Sequence, residues 1–453
     1  MTRRGLVGLV TAALLTACAP DIAAIPEASH VVAPIAWRTS LTMGNAAEAE
    51  WWKSFGDPQL DQLVEQARLN NPDIAIATER VKEARAQERV SRSLLFPDIS
   101  FSGSGSTARA LNPFGMATES AAAQPAFQAS YELDLFGKNK ALVDAATANI
   151  AASEAAREVT QLAVSSATAS GYITLLALDG RLEVLRATLT ARGEALRIAR
   201  NRAEVGYTSQ LELNQSEAEY RSAEQQLPAV TAAVARQENA LSQLIGQTPR
   251  SIDRGRFDAL SIPGTPSAQP SELTRRRPDV AQAEFALVAA DAQLRSARAQ
   301  FLPQIRLSAS AGVLLSSALP DPVSLWSLGG SILAPLFNGG RLQGQFDGAT
   351  ARRDQAAFAY RRTVLVAFRE VEDQLALIGQ QAIQERSLLA QRAAVSEALR
   401  HATNRYQAGY SGYIEQIDAQ RALLAVDLAL VQLRADRLTA YVALYQALGG
   451  APA

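Results

Sequence analysis

Between Phe127 and Leu135 the chain alternates strictly. Phe127, Ala129, Tyr131, Leu133 and Leu135 fall on one face, and Gln128, Ser130, Glu132 and Asp134 on the other. A period of two marks a strand, because successive side chains of an extended chain point to opposite sides. Aromatic and aliphatic groups on one side, with amides and carboxylates on the other, describe a wall between an apolar medium and water. At ~3.3 Å per residue, these nine residues reach roughly 30 Å, enough to cross a bilayer core when tilted.

The pattern returns further along. Phe96-Pro97 and Phe301-Leu302-Pro303 open the two copies, and Phe136-Gly137-Lys138 and Leu336-Phe337-Asn338 close them. In the second copy Ile305, Leu307, Ala309 and Ala311 alternate with Arg306, Ser308 and Ser310. Asn71-Pro72-Asp73-Ile74 matches Arg277-Pro278-Asp279-Val280, and Pro97 matches Pro303, both at an offset of 206 residues. Phe136 matches Phe337 at 201 and Gly206 matches Gly409 at 203, so the register slips inside the first hairpin. The longer first loop, about residues 109–124, is expected to face solvent, where insertions are best tolerated. Two hairpins make four strands. Four tilted strands cannot close a barrel, and lipid does not tolerate open sheet edges. If these strands cross a membrane, several chains must share one barrel.

Composition narrows the rest. A length of 453 residues would ordinarily suggest about three domains, but the duplication overrides that prior. A formal net charge of -1 argues against nucleic acid or another polyanion as partner. Few aromatics and abundant Ala suit long, closely packed helices. No run of 18 apolar residues follows the N-terminal segment, so no helical membrane span is expected. Cys18 is the only cysteine, and His30 and His401 are the only histidines; intrachain disulfides and a His-rich metal site are excluded. Glu132 and Asp134 share a strand face with no nucleophile or base beside them, which favours solvation over acid–base chemistry. Gly103-Ser104-Gly105 lacks the helix start and lysine of a phosphate loop. Arg275-Arg276-Arg277 reads as a solvated linker end rather than an anion site. No catalytic constellation emerges, so neither enzymatic activity nor a cofactor is expected.

Arg3 and Arg4 precede an apolar run from Gly5 to Leu15, the layout of a secretory signal. Leu15-Thr16-Ala17-Cys18 resembles a bacterial lipobox, which makes Cys18 the expected lipidation site, and Ala19 stands where an inner-membrane retention signal would place Asp. Residues 19–49, with Pro20, Pro26 and Pro34, read as an extended tether. Asp57 and Pro58 then fit the N-cap and first position of a short helix burying Leu60, Leu63, Val64 and Ala67. Trp51 and Trp52 read as packing anchors rather than a ligand platform.

Each half then reads helix, hairpin, very long helix, turn, long helix. The first helix runs from Pro72 to Leu95. No proline occurs from Lys140 to Ala203, 64 positions that would extend ~96 Å as one helix, with Gly171, Gly180 and Gly193 as candidate break points. Leu211 to Ile245 runs back, with a kink expected at Pro228. Helices of this length need lateral partners throughout, and Ala lets them approach closely. The expected division is a signal peptide 1–17, a lipidated tether 18–49, a first repeat 50–246 with hairpin 98–135, a linker 247–276, a second repeat 277–448 with hairpin 304–336, and a tail 449–453.

Function should sit where the long helices turn. In the first tip, from Glu204 to Glu212, Gly206 supplies the left-handed residue that ends the incoming helix, and Ser209 with Glu212 forms a capping box. The second tip runs from Gln407 to Glu415, with Asp418 one turn on.

At these tips a resemblance becomes specific. Trp51-Trp52 through Leu60, Asn71-Pro72-Asp73, Phe96-Pro97, Leu133-Asp134-Leu135-Phe136-Gly137-Lys138, Val205-Gly206, Arg276-Arg277-Pro278-Asp279-Val280 and Arg405-Tyr406-Gln407-Ala408-Gly409 carry it by their order and duplicated spacing. Together they resemble the outer-membrane factor family of tripartite efflux systems, in its NodT-like lipoprotein branch related to TolC. Coverage is nearly the whole mature chain.

The resemblance implies a mixed α and β fold: a long α-helical coiled-coil barrel continuous with a 12-stranded antiparallel transmembrane β-barrel shared by a homotrimer, with two internal repeats of this chain per copy. It implies an outer-membrane, lipid-anchored channel whose helical part lies in the periplasm. Such a channel is the passive exit duct of a tripartite efflux pump. Its partners would be a periplasmic adaptor (membrane fusion) protein and an inner-membrane efflux transporter, of the RND type. By the same match, Glu415 and Asp418 fall in carboxylate rings at the periplasmic gate, and Glu212 falls at the equivalent place in the first half. Glu212 also has the plainer reading of a capping residue, and Asp418 that of a solvated helix residue. Val205, Gly206, Tyr207, Ala408, Gly409 and Tyr410 would form the adaptor-docking tips, with Tyr207 and Tyr410 open to gate contact or tip packing as well. Ser411 stands where some relatives have a gating arginine, so no arginine latch is expected there. The competing reading is a non-porous periplasmic coiled-coil structural lipoprotein, which would have no need of alternating strands.

Overall fold

A computed structural model describes residues 19–39, 43–46, 50–111, 113–267 and 269–450. The signal segment and the expected lipidation site Cys18 lie outside the described residues. In chain order the elements are β1 (Met43–Ala46), α1 (Pro58–Asn70), α2 (Pro72–Ser93), β2 (Asp98–Leu111), β3 (Ala117–Leu133), α3 (Lys138–Glu204), α4 (Gln210–Glu224), α5 (Gln226–Leu244), β4 (Thr265–Ser267), α6 (Pro270–Arg276), α7 (Pro278–Ala299), β5 (Gln304–Ser316), β6 (Val323–Leu333), α8 (Arg341–Gln407) and α9 (Tyr413–Ala447). The chain forms two compact units. One holds the chain up to His30 with Glu79–Ala155 and Ala281–Arg362; the other holds Val31–Thr78, Ala156–Val280 and the chain from Thr363 onward.

The first unit is organised around an antiparallel sheet in the order β2-β3-β5-β6. Its register explains the alternation. Phe101 lies opposite Phe127, Tyr131 opposite Leu307, and Ala311 opposite Trp326, so the apolar residues of all four strands share one face. The Phe101 and Phe127 rings sit 5.2 Å apart, a cross-strand aromatic pair. Phe101, Phe127, Trp326, Leu328 and Ile332 are nevertheless exposed. The other face is hydroxyl-rich: Ser102 lies beside Gln128, Ser130 opposite Ser308, and the Ser310 and Ser327 hydroxyls are 2.8 Å apart. Pro125 has no N–H for the ladder, and the β3–β5 pairing is interrupted between Ala123 and Ala126.

The region expected as a solvent loop is corrected: β2 continues to Leu111 and β3 begins at Ala117, with the turn made through Pro113 and Gly115 at φ 79°. Here Ala, Ser and Thr occupy both faces, with Arg109 and Glu119 paired across the strands. These small residues leave no periodicity to read, while backbone pairing to the neighbouring strand proceeds regardless of side chain. The carboxylates at the base of the sheet are also not merely solvated. Asp134 accepts the backbone N–H groups of Asn139 (3.1 Å) and Lys140 (2.7 Å) and so caps α3, and Glu132 pairs with Lys138 and lies 3.8 Å from Arg306.

Beneath the sheet Leu294 of α7 packs with Phe346 and Ala349 of α8, and Ile22 and Phe301 close the cluster. Ile22 belongs to a segment held by its backbone. Buried Arg353 donates to the carbonyls of Ala23 (2.5 Å) and Ala24 (3.3 Å), and Arg298 donates to that of Pro20 (2.8 Å).

In the second unit Asp57 accepts the N–H of Gln59 at 2.8 Å, with Pro58 at the first helical position, and Leu60, Leu63, Val64 and Ala67 are buried. Trp51, 2% exposed, stacks on Tyr445 with centroids 5.3 Å apart, and Trp52 is buried beside it. Both are packing anchors. The Tyr172 hydroxyl donates to Asp57 at 2.7 Å and accepts from the Gly255 N–H at 2.9 Å, tying α3 to this core. The loop after α5 returns through β4, which pairs in parallel with β1, and through α6.

The glycines of α3 do not break it. A Cβ at Gly171 would lie 2.9 Å from the Gln237 side chain, and one at Gly180 3.2 Å from Phe257, so both are points of close approach. The helix expected over 211–245 divides into α4 and α5 at Gln225. Pro228 cannot donate the N–H that would bond the Glu224 carbonyl. α3 also holds an 18-residue window of mean hydropathy 1.2, apolar enough for a membrane span by composition; half of that window is buried inside the protein, as in a core helix. A further correction concerns Arg277. It is not a solvated linker end: it is buried, paired to Asp279 (2.7 Å) and Glu370 (2.8 Å), and donates to the Ala447 carbonyl at 2.8 Å.

Replacing Trp51 with Ala removes a fully packed indole and is expected to cost about 3–5 kcal/mol. Replacing exposed Tyr207 with Ala should change stability by less than about 0.5 kcal/mol. Denaturant unfolding followed by circular dichroism checks both, and comparable losses would contradict the anchor role.

Candidate functional site

Two turns, each joining a long helix to its return, carry the residues singled out from sequence. Both lie in the second unit. They close in the same way. After α3, Gly206 takes φ 68°, its N–H bonds the Ala203 carbonyl (3.1 Å), and the Tyr207 N–H bonds that of Arg202 (2.8 Å). After α8, Gly409 takes φ 78°, its N–H bonds the Tyr406 carbonyl (3.1 Å), and the Tyr410 N–H bonds that of Arg405 (2.9 Å). These paired bonds satisfy the last carbonyls of each helix, and the left-handed residue in each must tolerate positive φ. Val205, Tyr207 (86%) and Tyr410 (81%) stand exposed at the ends.

The outgoing helices bring the acids in. Ser209 caps α4 by accepting the Glu212 N–H at 3.3 Å, which is the hydroxyl half of the expected capping box. The Glu212 carboxylate, however, accepts a hydrogen bond from the Tyr406 hydroxyl at the end of α8. One turn further, the Ser216 and Tyr413 hydroxyls meet at 3.2 Å, and a turn beyond that Glu219 receives Arg421 of α9, Nε to Oε1, at 2.9 Å. Residues 212, 216 and 219 lie on one stripe of α4, because positions three and four apart share a helix face. Each links the first helical pair to the second.

This ladder is mostly out of water. The Tyr406 and Tyr413 rings pack at 5.2 Å, and the Arg202 guanidinium lies 5.0 Å over the Tyr406 ring. Burial, then the Glu212 carboxylate, holds the Tyr406 phenol above its ordinary 10.0, pushed up to about 12. Arg192 of α3 is buried and 3.0 Å from Glu219. The hydroxyl of Ser411 and the side-chain oxygens of Gln416 and Gln420 are buried without a partner among the described residues. A face with unmet hydrogen-bonding groups gains less from closure than a satisfied one.

Glu415 and Asp418 are placed differently from Glu212. Both carboxylates are exposed, with Arg405 3.8 Å from Glu415 and Arg421 3.9 Å from Asp418. Sequence reasoning did not single out Arg192, Ser216, Glu219, Tyr413 or Arg421. The available signal was the polar stripe 212-216-219 on an otherwise amphipathic helix, which by itself looks like a solvated face.

The family model described as outer membrane efflux protein matches residues 63–247 and again 269–450. The chain is 34% identical to the pyoverdine export outer membrane protein OpmQ of Pseudomonas aeruginosa, covering 99% of this chain and 97% of that one. It is 30% identical to the cation efflux system protein CusC of Escherichia coli, covering 98% of each. Among solved structures it matches the outer-membrane channel OprN with a TM-score of 0.87 at 27% identity (96% and 99% covered) and CusC with 0.84 at 29% identity (96% and 99% covered). Sequence, duplicated match and fold agree, and the chain belongs to the outer membrane efflux protein family.

Proposed function

We propose that three copies of this chain form the exit duct of a tripartite efflux pump. The observation that carries the reading is a sheet with one apolar and one serine-rich face, both exposed, and with β2 and β6 at its open edges. Its strands run alternately up and down, so β6 of one copy meets β2 of the next antiparallel. A head-to-tail contact of this kind closes into a ring. Three copies of four strands give twelve, an even number suited to an antiparallel barrel, with aromatic side chains toward lipid and hydroxyls toward a wet lumen. The order α2-β2-β3-α3 and, later, α7-β5-β6-α8 supports two repeats per copy. The helices would continue the lumen into the periplasm, and lipid on Cys18 would anchor each copy.

The tips then form a gate. Glu415 and Asp418 on α9 would line its constriction, with Glu212 serving in the Tyr406 latch rather than the ring. The exposed tip residues Val205, Gly206, Tyr207, Ala408, Gly409 and Tyr410 would dock a periplasmic adaptor, itself coupled to an inner-membrane transporter of the RND type. Relatives of similar identity are named for pyoverdine, toluene and cations. Such unlike cargoes on one scaffold support a duct that leaves cargo choice to the pump. Export through it is passive, and neither catalysis nor a cofactor enters.

Purified protein is expected to run as a trimer in native mass spectrometry and to insert conducting channels into planar bilayers. A folded, strictly monomeric and non-conducting preparation would sink the reading. Glu415→Gln with Asp418→Asn should lower cation preference in reversal-potential measurements; unchanged preference removes both from the constriction. Tyr406→Phe should raise the open fraction. The raised Tyr406 pKa gives the pH sign: the neutral phenol is the latched form, so the contact is complete below pH 10 and is lost as pH rises toward about 12. Opening in that window should be absent from Tyr406→Phe.

A further inference from the structure

We propose that Arg421 is a transferable counter-ion: it clasps Glu219 while the two helical pairs are together and passes to Asp418 when they part. Opening would then also weaken the negative field at the constriction. The inference rests on the gate reading above and adds a residue that sets its selectivity.

Glu219 holds two guanidiniums of different standing. Arg192, 3% exposed, lies 3.0 Å from Oε2 and also donates to Glu219's own backbone carbonyl at 2.7 Å. It sits on α3, which α4 follows directly, so this pair stays together when the two helical pairs separate. Arg421 is 58% exposed, lies on α9, and reaches Glu219 across the seam, Nε to Oε1, at 2.9 Å. Removing one partner of a buried ion pair is costly because it leaves an uncompensated charge. Here it does not: without Arg421, Glu219 keeps Arg192. The two guanidiniums also repel each other across the shared carboxylate.

Arg421 has a second acceptor at hand. Asp418 lies three residues earlier on the same helix, and its carboxylate is already 3.9 Å from Nη1. That spacing is a standard helical ion pair, and it travels with α9. A side-chain rotation alone therefore trades the contact across the seam for one within the helix. Each transfer draws that nearby cation fully onto one acid of the proposed ring, and the field of a narrow constriction follows such local charges closely.

The test uses the full-length protein in planar bilayers under a KCl gradient, comparing the residual current of the shut gate with that of the Tyr406→Phe channel. The K⁺/Cl⁻ permeability ratio should fall by at least about twofold on opening. Adding Arg421→Gln should keep the ratio high after opening, whereas Arg421→Lys, which retains the charge, should preserve the fall. Arg421→Gln alone should raise the open fraction, since the clasp is lost. An open-state ratio indifferent to Arg421→Gln, with Asp418→Asn still altering it, overturns the transfer and leaves the gate standing. Indifference to Asp418→Asn as well overturns the placement of the acid and the transfer together.

Discussion

Each strand at the edge of a sheet carries a row of backbone donors and acceptors that must find partners or water. In this chain those edges belong to β2 and β6, and the face between them is aromatic and exposed. In water such a sheet would aggregate; in lipid an open edge is prohibitive. The requirement that these groups be paired, combined with an apolar outer face, leaves closure with other copies as the economical solution. The shared barrel proposed for the family member follows from that requirement. In that barrel the serine-rich face would line the lumen, because side chains opposite the lipid-facing ones in a single-layer wall point inward.

The helical part answers a different constraint. α3 and α8 are each 67 residues long, and no compact core could cover helices of that length. They are stabilised along their flanks by small-residue contacts, with Ala141, Ala145 and Ala148 buried on α3 and Ala349 and Ala357 on α8. Larger side chains gather where the fold must be rigid, around Trp51, Tyr172 and Tyr445. Toward the tips the packing changes character. Apolar anchors give way to hydroxyl, carboxylate and guanidinium contacts, several of them incomplete. A seam of that kind holds one arrangement without making the alternative prohibitive, which is what a two-state element needs.

The tip ladder also shows how charge can be shared without being stranded. Glu219 is buried with a permanent partner in its own helical pair and a more exposed one in the other. Breaking the seam exposes only the second. The Tyr406 hydroxyl and the Glu212 carboxylate meet at the end of the same seam, with the Arg202 guanidinium lying over the Tyr406 ring.

Much was legible before any coordinates. Period-two alternation placed the strands near Phe127 and Ile305, Asp57-Pro58 placed the start of α1, and Gly206 and Gly409 placed the two turns, because each reports a local requirement of backbone geometry. Duplicated spacing and the order of short motifs pointed to the family. The upper strands were missed because Ala, Ser and Thr on both faces leave no pattern, and Pro228 acted at Gln225 because a missing N–H breaks the bond one turn earlier. What the tertiary structure alone decided was partnership. Arg277 turned out to be a buried ion-pair centre and Glu219 the hub of the tip seam, since their partners Glu370, Ala447 and Arg421 lie 93, 170 and 202 residues away. Local sequence determines which way a backbone turns and which face is apolar; only the packed chain determines which buried charge meets which, because that depends on distances between segments that no periodicity encodes.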